Sequence, residues 1–140
     1  MALSKKNLRI GDVFQECVVE NLTQTQIVQY AGASGDFNPV HTDWVYATQA
    51  AGLETVFAHG LLSAGATARM ITDYVGDGRL TRYGVRFMGK VFPGDSLHAK
   101  ATVTNIRGEN GENYVDLEIV TVNQKGEVAI KGYATARIDP

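Results

Sequence analysis

The stretch "HGLLSAGATARMITDYVG", His59 to Gly76, decides the architecture. Within it Leu61, Ala64, Gly65, Ala68, Ile71, Thr72 and Val75 recur at intervals of three and four, the period of one helix face. Leu62, Ala66 and Met70 make the other faces apolar as well. A helix with little polar surface, rich in Ala and Gly, is expected to be buried with a sheet packed closely against it. Beyond it the period changes to two. "TRYGVRFMGKVF", Thr81 to Phe92, alternates Tyr83, Val85, Phe87 and Val91 with Arg82, Arg86 and Lys90, the pattern of a half-buried strand, and Pro93 to Asp95 reads as a turn. Three more strands follow, Ser96 to Ile106, Asn113 to Val122 and Glu127 to Ile138, separated by the turn-rich "RGENGEN" and "NQKG".

Upstream, a short strand is expected at Val13 to Glu20. Thr23 with Gln26 three residues on has the spacing of a capping box, which opens a helix ending near Ala33. A second short helix is expected around Asp43 to Ala51, with Trp44, Val45, Ala47 and Ala51 inward and Gly52 as its stop. Helices first and consecutive strands afterwards imply one α+β domain over residues 1–140, an antiparallel sheet curled around the central helix.

Composition narrows the classes of partner. Thirteen Lys and Arg against fifteen Asp and Glu give a formal charge of -2, with no long run of one sign to serve as a footprint for nucleic acid or an anionic membrane. No apolar stretch reaches the ~20 residues of a membrane span, since Arg69 and Asp73 interrupt the most apolar segment. The single Cys17 cannot form an internal disulfide, and "MALSKKNLRI" has no apolar core of a signal peptide, so a reducing cytoplasm is expected. No Cys or His spacing suits zinc, and neither a P-loop nor a dinucleotide fingerprint occurs, so neither metal nor cofactor is expected.

Chemistry concentrates in "SGDFNPVH", Ser34 to His41. Residues five apart in a strand point to opposite faces, and in a helix they are separated by about 500° of rotation, so neither element brings Asp36 and His41 together. A bend can do so. Asn38-Pro39 supplies one, because proline fixes its own φ and pushes the preceding residue out of the helical region, and Gly35 lets the chain leave the first helix. On composition alone this is either an ordinary polar turn or an acid and a base converging on one small molecule. An imidazole can accept a proton near neutral pH, and a carboxyl in an apolar pocket can hold one to donate.

The longer string favours chemistry. Tyr30, then "AGAS", Gly35, Asp36, Phe37, Asn38, Pro39, Val40, His41, "TDWVY" and Ala47 resembles the hydratase 2 motif of the MaoC-like hydratases and dehydratases at every fixed position. "FAHGLLSAG", Phe57 to Gly65, is similar to that family's second landmark, and the strand pattern after Thr81 fits too, so the resemblance spans nearly the whole chain. It implies a hot-dog fold. It also implies reversible syn hydration of enoyl thioesters to (3R)-hydroxyacyl thioesters in fatty-acid or related lipid metabolism, with His41 as base toward water and Asp36 as acid toward the α-carbon.

The bend residues Asn38 and Pro39 then support the pair. Gly60 opens the central helix, where free amides and the positive end of the helix dipole collect, and its N–H is the expected oxyanion donor, as the resemblance also implies. His59 is expected to shape the loop or cap the helix, and Ser63 to be a small packing residue or a substitute polar group. Some relatives carry a serine at the position aligned with Ala68, which is absent here. Arg82, Arg86 and Lys90 are either a solvated face or contacts for coenzyme A phosphates or an acidic carrier protein, and His98 is expected on an exposed strand without a partner. The implied substrate is an acyl-CoA or acyl carrier protein thioester. Two rivals remain open: a hot-dog thioesterase, disfavoured because no carboxylate occurs from Gly60 to Thr72, and a subunit of a heteromeric dehydratase. A shallow groove and an unpaired sheet edge lead us to expect a homodimer, or a heterodimer with a related hot-dog chain.

Overall fold

The computed structural model describes residues 2–140, so of the expected domain only Met1 lies outside the described residues. The chain runs β1 (Val13–Val19), α1 (Gln24–Ser34), a π-helical turn (Tyr46–Ala50), α2 (Gly60–Val75), β2 (Leu80–Phe87), β3 (Leu97–Glu109), β4 (Glu112–Asn123) and β5 (Val128–Ile138). The strands form one antiparallel sheet in the order β1-β3-β4-β5-β2, and α2 packs on it. This is the α+β architecture expected, a hot-dog sheet around a central helix.

Local chemistry explains most boundaries. The Thr23 hydroxyl accepts from the Gln26 N–H while the Gln26 side chain accepts from the Thr23 N–H, the full capping box at the start of α1. Gly35 ends α1 at φ 76°, and its N–H donates to Ala31 O at 3.0 Å. The "RGENGEN" segment is less of a loop than expected. Asn110 and Gly111, at φ 50° and 80°, make a two-residue turn of the kind that matches strand twist, so β3 and β4 pair up to Glu109 and Glu112 on either side of it.

The core lies between α2 and the inner face of the sheet. Met70, Ile71 and Val75 of α2 meet a layer that includes Leu97, Ala99, Leu117, Ile119 and Ala134. The helix is buried on one face only. Leu61 is 62% exposed, and Gly65 and Arg69 also face outward, because the sheet wraps one side and the described residues leave the other side open. Two polar ties cross the helix–sheet layer. The Thr67 and Thr121 hydroxyls, both fully buried, bond each other at 2.7 Å, and the Tyr83 hydroxyl donates to Ala64 O at 2.8 Å. Burial pushes the Tyr83 hydroxyl up to about 12, so it remains a donor.

Two further expectations are corrected. The strand read through Phe92 stops at Phe87, because Met88 and Gly89 both direct their N–H to Ala129 O and the chain peels away. In the second short helix only Ala47 is buried, while Trp44 and Val45 are exposed and Ala51 lies outside the helix. The wide π turn, with Ala51 N–H on Tyr46 O, presents a different face from that of a regular helix.

The Thr67–Thr121 pair generates a stability prediction. Thr67→Val or Thr121→Val alone strands a buried hydroxyl and should cost about 1–3 kcal/mol, whereas the double substitution should recover most of that loss. Urea unfolding of the three variants gives the coupling energy; additive losses would show that the bond contributes nothing.

Candidate active site

Backbone turns build the site. After Gly35 the chain runs through two side-chain-to-backbone turns: Asp36 Oδ1 accepts from the Asn38 N–H and Asn38 Oδ1 accepts from the Val40 N–H, each at 3.2 Å. Pro39 starts a helical turn closed by the His41 N–H on Asn38 O and the Asp43 N–H on Pro39 O. The Asn38-Pro39 bend thereby brings Asp36 Oδ2 to 4.0 Å from His41 Nε2, the convergence that neither a strand nor a helix could make.

The two side chains occupy different environments. His41 is 7% exposed, and its Nδ1 lies 2.6 Å from Phe57 O. A carbonyl only accepts, so Nδ1 carries the proton and the Nε2 lone pair faces Asp36. At 4.0 Å the pair is too far apart for a direct hydrogen bond and close enough for one water to touch both. The Asp36 side chain is 53% exposed, which differs from the apolar pocket expected for an acid. It sits on a surface bend, and in the single chain nothing among the described residues covers it.

His59 lies directly beneath. Its ring stacks on that of His41 with centroids 3.9 Å apart at 26°, and Tyr30 packs 4.9 Å from it. Its Nε2 donates to Asp36 O at 3.0 Å, so it holds the backbone of the bend. No side-chain bond caps α2, which makes His59 the shaper of the loop rather than the cap. Asp36, His41 and His59 could each offer a ligand atom, all within 4.8 Å of one another. Stacked rings, however, hold their in-plane lone pairs side by side. Convergence on one ion would require a ring to rotate and give up its bond to a carbonyl, so the cluster suits proton transfer better than metal ligation.

Gly60 begins α2 beside this group. No acceptor among the described residues takes its N–H, and a Cβ on Gly60 would stand 2.9 Å from the Phe87 ring. Glycine is what allows that approach. A cavity of about 380 Å³ opens here, lined by Phe57, Gly60, Ser63, Phe87, Lys90 and Ile130, among others. Phe57 joins cavity to dyad, since its carbonyl orients His41 while its ring meets the His41 ring edge-on at 4.9 Å.

The structure therefore gathers Asp36, Asn38, Pro39, His41 and His59 in one cluster, and lines the adjoining cavity with Gly60 and Ser63. Of the three basic residues only Lys90 reaches it, 5.6 Å from the Phe57 ring, whereas Arg82 lies over Tyr133 and Arg86 is exposed. His98 is exposed on β3. Sequence reasoning missed the Phe57 carbonyl, since a backbone acceptor leaves no side-chain signature, and it missed Phe87 over Gly60, because that contact joins distant parts of the chain.

Comparison with known proteins agrees with this fold. Residues 6–125 match the family described as MaoC like domain. The chain belongs to the MaoC-like family. The (R)-specific enoyl-CoA hydratase of Rhodospirillum rubrum is 32% identical over 123 residues, covering 86% of this chain and 83% of that protein. A mitochondrial 3-hydroxyacyl-acyl-carrier-protein dehydratase of Arabidopsis thaliana is 29% identical over 134 residues, 95% of this chain and 79% of the relative. Among solved structures, the unliganded R-hydratase PhaJ1 from Pseudomonas aeruginosa superposes with a TM-score of 0.85 at 25% identity, covering 99% of this chain and 86% of that one.

The hydrogen bonds assign opposite tautomers to the stacked rings. Nitrogen-15 imidazole spectra at neutral pH should show His41 protonated on Nδ1 and His59 on Nε2. Protonation of neutral His41 on Nε2 would break the assignment of a bare base facing Asp36.

Proposed function

We propose that this MaoC-like chain is a hydro-lyase that reversibly hydrates trans-2-enoyl thioesters to (3R)-hydroxyacyl thioesters, with His41 as base and Asp36 as acid. One observation carries the assignment of roles: the Phe57 carbonyl holds the His41 proton on Nδ1, which leaves Nε2 bare 4.0 Å from the Asp36 carboxyl. A water between them loses a proton to Nε2 as its oxygen attacks the β-carbon. The π electrons move toward the thioester oxygen, where the Gly60 N–H and the start of α2 meet the growing charge. The α-carbon then takes a proton from Asp36, and His41 returns its own to the carboxylate, so the pair resets with no net proton change. Dehydration runs the same steps backward.

The carrier is coenzyme A or acyl carrier protein, and relatives named for each support both. A thioesterase reading has no observation in its favour. No carboxylate lies on α2 from Gly60 to Thr72, and the 4.0 Å between Asp36 and His41 suits a water that touches both.

Incubation with crotonyl-CoA, followed by loss of the conjugated enoyl absorbance, tests the proposal. Wild type should hydrate it, and Asp36→Asn and His41→Asn should each lose about 10²–10⁴-fold in kcat. Appearance of free thiol without loss of the enoyl group would establish the thioesterase instead.

The exposure of Asp36 supports a second copy at the site. Phe37, Trp44, Leu61, Phe87 and Met88 are all more than half exposed, and β2 pairs on one side only among the described strands. A partner covering these surfaces would also enclose the carboxyl and keep bulk water away from the reacting pair. A homodimer satisfies this most simply, and a related hot-dog chain would serve equally. Sedimentation at micromolar concentration should give a dimer; a fully active monomer would refute the enclosed site.

A further inference from the structure

Two buried side-chain atoms among the described residues have no hydrogen-bond partner, His59 Nδ1 and Ser63 Oγ, and both belong to the start of α2. For Ser63 this is unusual. Its residue is 2% exposed, and a serine within a helix commonly directs its hydroxyl to the carbonyl four residues back, here that of His59. It makes no such bond. One turn further on the same helix carries a contrasting case, for Thr67 is equally buried and its hydroxyl is paired with Thr121. The fold thus satisfies one buried hydroxyl on α2 and leaves the other unpaired, and Ser63 is among the residues that line the cavity with Gly60. Residues three apart share a helix face, and Ser63 and Gly60, whose N–H is free, both line this cavity. The neighbouring Ala64, Ala66 and Ala68 offer no polar group, and the Thr67 hydroxyl is already engaged.

We propose that the Ser63 hydroxyl is a second hydrogen-bond donor to the thioester carbonyl oxygen, acting beside the Gly60 N–H. The proposal rests on the hydratase reading above. As water adds to the β-carbon, negative charge accumulates on that oxygen, and donors already aimed at its position stabilise it without reorganisation. A hydroxyl with no partner in the free protein breaks no bond in order to donate. It can also rotate to follow the oxygen as the bond lengthens, which a backbone N–H cannot do.

The test compares wild type, Ser63→Ala and Ser63→Thr on crotonyl-CoA, with thermal unfolding of each. Loss of one donor should lower kcat of the Ala variant by about 10²–10³-fold while KM changes little, and Thr should restore most of the rate. The Ala variant should unfold at the same or a higher temperature, because it removes a buried unpaired hydroxyl rather than a bond. Wild-type kcat in Ser63→Ala, with wild type active, would overturn the role of Ser63 and leave the hydratase reading standing. A lower unfolding temperature with no rescue by Thr would show a packing role and overturn it likewise. If wild type hydrates no enoyl thioester, the hydratase reading fails and this proposal falls with it.

Discussion

The packing of one face of α2 against the curled sheet is the constraint on which the remaining structure depends. Met70, Ile71 and Val75 anchor the far end of the helix in the core, and Ala64 and Thr67 bring the middle close to the strands. A helix held this way has no freedom to slide. Its first turn is therefore fixed at the end of the sheet, with an uncapped N-terminus open to a cavity. The free amides and dipole that a structural helix end would hide become available for a substrate oxygen.

Around that helix end, two imidazole-to-carbonyl bonds tie two separate segments together. His41 on the bend reaches Phe57 before α2, and His59 at the start of α2 reaches back to Asp36 on the bend. The ties run in opposite directions, one from each segment, and the two rings stack on each other. Each ring has one nitrogen committed to a carbonyl, which decides its tautomer and leaves the other nitrogen available. Only the His41 nitrogen faces the carboxyl. Catalytic readiness here is a consequence of loop construction: the bonds that hold the bend in place are the ones that prepare the base.

The local features could be read because each has a short-range cause. Thr23 with Gln26 marks a helix start through bonds four residues wide, and Asn38-Pro39 forces a bend through its own φ restriction. The period of two predicted four strands in the second half, and tight turns join β3 to β4 and β4 to β5, whereas β2 pairs with the distant β5, a partner that no local pattern announces. The errors fall where exposure and strand ends are set by distant contacts. Phe87, Trp44, Val45 and Leu61 look like core residues by type and spacing, yet all are exposed in the single chain. Their apolar character is legible in sequence, but the surface that covers them is not.

The amino-acid sequence by itself determined the order of elements, the bend that allows Asp36 and His41 to meet, and the family to which they belong, because motif chemistry and periodicity act over a few residues. Only the tertiary structure decided that Phe57 orients His41, that His59 stacks beneath it, that Phe87 closes over Gly60, and that the Ser63 hydroxyl is left without a partner. Those relations depend on how α2 sits in the sheet. No local rule specifies which backbone carbonyl or ring will arrive from elsewhere in the chain.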